Sequence, residues 1–274
     1  MTHGDPRLSF DRAVDAYDEA RPTYPVALFE DLFALLPPAP SVLEVGPGTG
    51  KATRDLLARG AFVHAVEIGP MMAARLRSNL PPDRLRVVVG DFEQVGAAQL
   101  EITPGTCDAV FSATAYHWIS PSAQTDRPAE LLRPGGLVAI VDLIQVAAPD
   151  DDGFFAAIEP IHQRYGQGHR GPPAPARDEV DPPMRRALDR DERYGAVSVR
   201  CYDWDQTYTA ARYRQLMMSY SGTQQLAEPQ RTALLDEVAT CIDDQFGGTV
   251  TRPLVVTLTT AALRRPEVPQ KRRG

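Results

Sequence analysis

The sequence predicts an α/β fold with a mostly parallel sheet and helices on both faces. Between about Ser41 and Val146, five short apolar runs alternate with helical patterns, which is the arrangement of βαβ units. The runs are nearly continuous rather than alternating, as expected for strands that are buried on both faces. A length of 274 residues with 43% hydrophobic and 24% charged residues suits one large globular domain.

Predicted strands and helices follow one another along this core. The strands are the runs SVLEVG, AFVHAVE, LRVVVGD, CDAVFSA and GLVAIVD. Helical patterns predict helices between them at Lys51–Arg59, Pro70–Asn79 and Ala123–Leu132. The last helix is followed by Arg133-Pro134-Gly135-Gly136, which predicts a helix stop and a turn into the fifth strand.

Shifts in composition divide the chain into five predicted segments. They are an N-terminal segment (1–40), a ligand-binding core (41–148), a lid or substrate insertion rich in proline and charge (149–195), a C-terminal part with ordinary strand and helix patterns (196–265) and a disordered basic tail (266–274). The insertion is predicted to be a lid because long irregular segments in compact domains usually serve binding. In the C-terminal part we expect a strand at Ala196–Thr207, a helix at Pro229–Phe246 and a strand at Val250–Leu263.

Charge, cysteines and hydropathy exclude several classes of protein. A net charge of −7 argues against a nucleic-acid partner, because phosphate binding needs a concentrated basic face. Cys107, Cys201 and Cys241 form no CxxC pair, so we expect no metal site and a reducing compartment. The longest apolar stretch, Leu137–Ala148, is interrupted by polar residues and is too short for a membrane span. We therefore expect a cytoplasmic protein without a membrane partner, a monomer or homodimer, and the near-absence of lysine favours a bacterial source.

The run that ends the first strand carries the strongest chemical signal. Gly46, Gly48 and Gly50 form a glycine-rich turn that leads into a helix, where a ligand can approach the backbone closely. A dinucleotide site would have the pattern G-x-G-x-x-G, whereas here Lys51 holds the place of the third glycine. Glu44, two residues before the turn, suits a cationic ligand and would repel a pyrophosphate.

Two further acids stand at the ends of the next two strands. Glu67 ends the second strand, about twenty residues after the first glycine, where an acid accepts hydrogen bonds from ribose hydroxyls. Asp91 follows the third strand. Because parallel strands end at one edge of the sheet, Glu44, Glu67 and Asp91 are predicted to converge on one crevice.

At these residues the sequence resembles the class I S-adenosylmethionine-dependent methyltransferases. The similar motifs are LEVGPGTG, AVEIGPMM, GDFE, CDAVFSATAYHWIS and LLRPGGLVAIVD. FDRAVDAYDEARPTYP and the His117-Trp118 pair resemble the branch that acts on small molecules, which includes ubiquinone/menaquinone and trans-aconitate methyltransferases. The resemblance covers Phe10 to Val146. It implies a Rossmann-like seven-stranded sheet whose last strand pair is antiparallel and which residues 196–265 complete. It also implies N-terminal capping helices within residues 1–40 and a lid insertion after the fifth strand.

The resemblance also implies which residues contact S-adenosylmethionine. Glu44 would lie near its ammonium group, Glu67 would hold the ribose hydroxyls and Asp91 the adenine amino group. The full implied set is Tyr17, Arg21, Glu44, Gly46, Gly48, Thr49, Gly50, Glu67, Ile68, Met71, Asp91, Phe92, Ser112 and Ala113.

Other members of this set have implied places as well. Ile68 and Met71 would pack on the adenine, and Ser112 and Ala113 would lie close to the sulfonium. Tyr17 and Arg21, on a capping helix, would reach the carboxylate of the cofactor; the alternative is that they are surface residues of that helix.

The implied activity is methyl transfer to an oxygen, nitrogen or carbon of a small-molecule acceptor. His117 is the candidate general base, because it follows the fourth strand and an imidazole titrates near neutral pH. It could equally line the substrate pocket or belong to a short helix that packs Trp118 into the core. Aromatic residues of the second half, among them Tyr213 and Tyr220, are candidates for the acceptor pocket.

Two alternatives from other classes stay open at this point. One is an NAD-dependent oxidoreductase, which Glu44 and Lys51 disfavour. The other is a non-catalytic protein of the methyltransferase fold that binds the cofactor. The Asn/Asp-Pro-Pro-aromatic motif of many amino-methylating nucleic-acid enzymes is absent after the fourth strand, which again argues against a nucleic-acid substrate.

Overall fold

A seven-stranded sheet organises the part of the chain that the structure, a computed structural model, describes: residues 22–147 and 153–265. Its strands, numbered along the chain, are β1 (Ser41–Val45), β2 (Phe62–Glu67), β3 (Leu85–Val89), β4 (Cys107–Ala113), β5 (Leu132–Gln145), β6 (Ser198–Asp203) and β9 (Leu254–Ala262). Two short strands, β7 (Gln206–Thr209) and β8 (Thr249–Arg252), form a separate antiparallel ribbon.

The strand order is β3-β2-β1-β4-β5-β9-β6. Strands β1 to β5 pair in parallel, and β9 pairs antiparallel with both β5 and β6. Of the seven, β9 therefore runs against the other six. The predicted seven-stranded, mostly parallel sheet is confirmed.

Helices connect the strands and surround the sheet. Within the described residues they are α1 (Val26–Phe33), α2 (Lys51–Ala58), α3 (Pro70–Asn79), α4 (Ala123–Leu131), α5 (Phe154–Arg164), α6 (Pro183–Asp189), α7 (Ala210–Met218), α8 (Ser221–Gln225) and α9 (Glu228–Gln245). A 3₁₀ helix at Tyr116–Trp118 follows β4, and another lies at Arg177–Glu179.

Helices cover both faces of the sheet because its central strands are apolar on both sides. Val42 of β1 packs in one cluster with Phe29 of α1. The next residue, Leu43, belongs to the cluster on the opposite face, with Leu131 of α4 and Leu188 of α6. Alternate residues of one strand thus enter two cores, which explains the continuous apolar runs in the sequence.

A third hydrophobic core joins α5, α7, α9 and β8. Phe154 at the start of α5 is fully buried there, and its ring meets the rings of Tyr213 and Phe246 edge-on, at centroid distances of 5.1 and 5.4 Å. Two helices of the predicted lid are therefore packed into hydrophobic cores. α5 belongs to this third core, and α6 belongs to the core that contains Leu43, through Met184 and Leu188.

Two predicted C-terminal strands are each divided in the structure. Ala196–Thr207 separates into β6 and β7, and Val250–Leu263 separates into β8 and β9. The division between β8 and β9 falls at Pro253, which has no backbone N–H and cannot donate a hydrogen bond to a neighbouring strand. Beside it, the Leu254 N–H donates to the Asp205 carboxylate (3.0 Å) and the chain passes from the ribbon to the sheet.

The turn predicted after the helix Ala123–Leu132 is part of a strand instead. α4 ends at Leu131 and β5 begins at Leu132, so the proline and glycines lie within β5. The pairing register between β4 and β5 shifts there, and Gly135 has a φ of +82°. The residues that predict a turn form a bulge, in which the extra residues are accommodated without ending the strand.

Candidate functional site

A cavity of about 400 Å³ lies at the carboxyl ends of β1, β2, β3 and β4. Each strand contributes the loop that follows it, because parallel neighbours end at the same edge of the sheet. The helical layer adds Tyr220 and Ser221 to the wall. The volume is in the range of roughly 300–1,000 Å³ that small-molecule sites occupy.

The glycine turn after β1 forms the floor of this cavity. Gly46 and Gly48 line it, with φ values of +66° and +59°. The Gly46 N–H donates to the Val66 carbonyl (2.9 Å) and ties the turn to β2. A Cβ on Gly46 would lie 2.5 Å from the Cβ of Ala115, in the loop after β4. The turn therefore needs glycine both for its conformation and for the close approach of a second loop.

Glu67 at the end of β2 connects two loops of the site. Its Oε2 accepts a hydrogen bond from the Gly48 N–H (3.0 Å), and its Oε1 accepts one from the Gly69 N–H (2.9 Å). The side chain is buried and lines the cavity. A carboxylate has about four lone-pair sites, so these backbone bonds are compatible with further donors from a ligand.

Glu44 of β1 is a buried acid. Its Oε2 is buried and has no hydrogen-bond partner among the described residues. Burial raises the pKa of Glu44 to about 8, the Glu67 carboxylate adds to the rise, and the Thr53 hydroxyl opposes it. Together with Thr49 and Lys51, Glu44 lines a small cavity of about 20 Å³ next to the main one. A cationic group would compensate a carboxylate in this position.

Asp91 and Phe92 follow β3 and line the main cavity from the opposite side. Asp91 Oδ1 accepts a hydrogen bond from the Glu93 N–H (3.0 Å), which holds the carboxylate in a local turn. The Phe92 side chain is buried, and the Arg127 guanidinium lies 5.7 Å from its ring centroid. These contacts hold both residues at the cavity wall.

The loop after β4 places His117 at the mouth of the cavity. Thr114 has a φ of +57°, an uncommon conformation for a residue other than glycine, and the 3₁₀ helix follows it. His117 is exposed and lines the cavity, and its ring centroid lies 5.1 Å from that of Trp118. Trp118 lines the cavity too, so the predicted alternative, in which it packs into the core, is not what the structure shows.

Most of the predicted site residues that the structure describes meet at these two adjoining cavities. The main cavity is lined by Gly46, Gly48, Glu67, Ile68, Asp91, Phe92 and His117. The small one is lined by Gly46, Glu44, Thr49 and Ala113. Tyr17 and Arg21 lie outside the described residues.

Three predicted contacts lie elsewhere. Met71 is 59% exposed, and Met72 lines the cavity in its place, because the buried side of α3 carries Met72, Ala73 and Leu76. Gly50 lines neither cavity; a Cβ there would lie 2.5 Å from Leu76, so this glycine allows α3 to approach.

Ser112 is the third of these. It is fully buried in β4, and its hydroxyl donates to the Val45 carbonyl at 2.7 Å. This hydrogen bond links β1 and β4 at the edge of the site, so Ser112 supports the cavity without lining it.

A second, larger cavity of about 990 Å³ lies beside the first, and Tyr220 lines both. Its walls come from the end of β5, from α5 and from β8, and include Phe155, Tyr213 and Arg252. Tyr213 and Tyr220 were predicted as pocket residues. Arg252 was missed, because in sequence it is one arginine in a threonine-rich strand and nothing local indicates that it faces a cavity.

Two classes of feature are absent from residues 22–147 and 153–265. None of their helices combines the length and the hydropathy that crossing a bilayer requires. Nor do their His, Cys, Asp and Glu side chains form a cluster of three or more that could hold a metal ion.

Comparison with known proteins places the chain in a family. A family model described as "Methyltransferase domain" matches residues 43–140. An uncharacterized methyltransferase of Mycobacterium tuberculosis (strain ATCC 25618 / H37Rv) is 39% identical over 138 residues, which are 50% of this chain and 53% of that protein. This chain therefore matches about half the length of its mycobacterial relatives.

A second relative is matched over more of its length. An uncharacterized methyltransferase of Geobacillus kaustophilus (strain HTA426) is 31% identical over 168 residues, which are 57% of this chain and 70% of that protein. Among solved structures, a SAM-dependent methyltransferase from Geobacter sulfurreducens, in complex with S-adenosyl-L-homocysteine, has a TM-score of 0.56 at 16% identity. That alignment covers 93% of this chain and 98% of the other, and it shows a common fold. The chain belongs to the methyltransferase family.

Proposed function

We propose that this protein transfers a methyl group from S-adenosylmethionine to a small-molecule acceptor and releases S-adenosylhomocysteine. One observation carries the proposal: the glycine turn, Glu44, Glu67 and Asp91 meet at two adjoining cavities at the carboxyl ends of β1, β2 and β3. The acceptor atom can be oxygen, nitrogen or carbon.

The residues present fit this cofactor. The incompletely partnered Glu44 carboxyl suits the ammonium of its amino-acid part, and the glycine turn leaves room for a ligand against the backbone. Glu67 and Asp91, on the walls of the main cavity, would accept hydrogen bonds from the ribose hydroxyls and the adenine amino group. The Geobacter structure named above, which contains S-adenosylhomocysteine, supports the assignment at the level of the fold.

Methyl transfer from this cofactor depends more on the positioning of the acceptor than on acid–base catalysis. When bound, the cofactor supplies a methyl group that its sulfonium has already activated. The protein then aligns the acceptor with that methyl group, and positioning of this kind can supply up to roughly 7–11 kcal/mol. A base is needed only if the acceptor must lose a proton, and His117 at the cavity mouth would serve there.

Calorimetric titration with S-adenosylmethionine, S-adenosylhomocysteine and NAD tests the proposal. We expect both sulfur ligands to bind with micromolar dissociation constants, about −8 kcal/mol, and NAD not to bind. Binding of NAD alone would overturn the proposal and support an oxidoreductase. Binding of the sulfur ligands without any methylated product in an acceptor screen, with RNA and DNA included, would support the non-catalytic alternative.

We expect cofactor binding to release a proton from Glu44. Because the pKa of this carboxyl is raised to about 8, it is mostly protonated at pH 7 in the free protein. An ammonium group beside it stabilises the carboxylate and lowers its pKa, so affinity increases with pH and levels off above pH 8. Titration of S-adenosylhomocysteine should show up to a tenfold gain per pH unit between pH 6 and 7.

Two controls identify the group responsible. 5′-Methylthioadenosine lacks the ammonium, so its affinity should stay constant over the same pH range. Glu44→Gln should remove the pH dependence of S-adenosylhomocysteine binding. Identical pH profiles for the two ligands would contradict the place assigned to Glu44.

Replacing His117 by Ala tests the proposed base. With an acceptor from the screen, we expect kcat to fall about 100-fold, the lower end of the range for general bases, because proton removal then depends on water. The dissociation constant of S-adenosylhomocysteine should not change. A raised KM with kcat intact would instead assign His117 to the pocket wall.

A further inference from the structure

One cation of the second cavity has no counter-charge among the residues that the structure describes. Arg252 in β8 lines this cavity and is half-buried. Its guanidinium donates to the Tyr220 hydroxyl (2.5 Å) and to the Gln145 Oε1 (2.6 Å), which are both neutral. Its Nε is buried and has no hydrogen-bond partner in the described part of the chain.

A second arginine in the same wall shows the contrast. Arg177 also lines the cavity, but it forms ion pairs with Asp203 (2.9 Å) and Asp205 (2.6 Å). For Arg252, no carboxylate among residues 22–147 and 153–265 lies within ion-pair distance. Removing a cation from water without a compensating anion is costly, which points to an anionic partner that the described residues do not supply.

The two carboxylates that line the cavity accept hydrogen bonds from other residues. Asp205 accepts from Arg177 and from the Leu254 N–H. Glu159 accepts hydrogen bonds from the Gln163 side chain and the His169 N–H. Asp205 is thus compensated by Arg177, and Glu159 is held by uncharged donors. Arg252 is the arginine of this wall that has no ion pair among the described residues.

Tyr220 connects Arg252 with the proposed methyl-transfer site. Its side chain lines both cavities, and its hydroxyl accepts the hydrogen bond from Arg252. An anion on Arg252 therefore lies next to the wall that separates the cavities. Near Arg252, the apolar residues Val146, Phe155, Ile158 and Pro253 supply a surface for the rest of a ligand.

We infer that Arg252 binds an oxyanion of the methyl acceptor, so that the acceptor is a small amphipathic acid with a carboxylate or phosphate group. Arginine suits this because its planar fork can hold such a group through two parallel hydrogen bonds. The inference rests on the proposed function for the identity of the ligand as acceptor, while the anion site itself rests on the cavity.

The experiment measures binding of simple probes to the protein in the presence of S-adenosylhomocysteine. The probes are 4-phenylbutyrate, its neutral amide and 3-phenylpropyl phosphate. We expect at least one of the two acids to bind tenfold or more tightly than the amide, and the tighter of the two identifies the anion class. An amide that binds as tightly as both acids would overturn the inference.

Two variants locate the preference at Arg252. Arg252→Gln removes the charge, and Gln145→Glu keeps the arginine but places a carboxylate beside it; each should abolish the preference for acids. Arg185→Gln, an exposed arginine of α6 in neither cavity, is the matched control and should keep the preference. If Arg252→Gln does not fold, Gln145→Glu decides, and a preference that persists in it would overturn the inference.

Binding of S-adenosylhomocysteine is measured separately in every variant. If S-adenosylhomocysteine does not bind to the unchanged protein, the proposed function is overturned. A preference for acids at Arg252 could still be observed in that case. The two conclusions can therefore fail independently.

Discussion

Replacing Glu67 by Gln is expected to weaken binding of S-adenosylhomocysteine about 100-fold. The carboxylate holds the Gly48 and Gly69 N–H groups in the cavity and is proposed to hold the ribose hydroxyls as well. Hydrogen bonds to a charged group contribute about 1.5–3 kcal/mol each, and a 100-fold loss corresponds to about 2.8 kcal/mol. Isothermal titration calorimetry of the folded variant measures this loss directly.

A matched variant and a modified ligand separate the causes of that loss. Glu101→Gln changes the same group at an exposed position, where the side chain makes one loose ion pair with Arg86 (3.6 Å), and affinity should stay unchanged. The 2′-deoxy analogue should bind more weakly than S-adenosylhomocysteine to the unchanged protein, but not to Glu67→Gln. Equal discrimination by both proteins would show that Glu67 does not contact the ribose.

Replacing Gly46 by Ala is expected to lower the free energy of unfolding by about 3 kcal/mol. A φ of +66° costs an L-residue about 1–2 kcal/mol. The added Cβ would lie 2.5 Å from that of Ala115, and forcing an extra methyl group into a packed region costs about 1–3 kcal/mol. Urea denaturation should show a lower midpoint with an unchanged slope.

Gly105→Ala is the matched control for this prediction. Gly105 has a φ of +76°, but no atom lies within 4 Å of the Cβ it would gain. It should therefore show the conformational cost alone, about 1–2 kcal/mol. An equal loss in both variants would mean that the loop after β4 moves away and that the contact with Ala115 does not constrain the site.

Local patterns predicted the half of the chain that builds the candidate functional site. β1 to β4 lie where the apolar runs indicate, and α3 has the predicted bounds Pro70–Asn79. Glu67 and Asp91 follow their strands into one cavity, because the end of a parallel strand fixes the edge of the sheet at which the next residue emerges. These are short-range features, set within a few residues of each motif.

The predictions that differ from the structure depended on a neighbour rather than on a pattern. Met71 and Met72 are equivalent by composition, and the packing of α3 against the sheet decides that Met72 lines the cavity. The residues Arg133 to Gly136 resemble a turn, yet pairing with β4 draws them into β5 as a bulge. In each case a contact distant in sequence outweighs the local preference.

The sequence by itself determined the α/β class, the glycine turn and the acids at the strand ends, since periodicity and spacing encode them directly. The tertiary structure alone decided that β9 inserts between β5 and β6, and that Tyr220 and Arg252 reach cavities formed by residues about a hundred positions earlier in the chain. Such long-range pairings follow from burial of the whole apolar surface, a property that no local window of sequence contains.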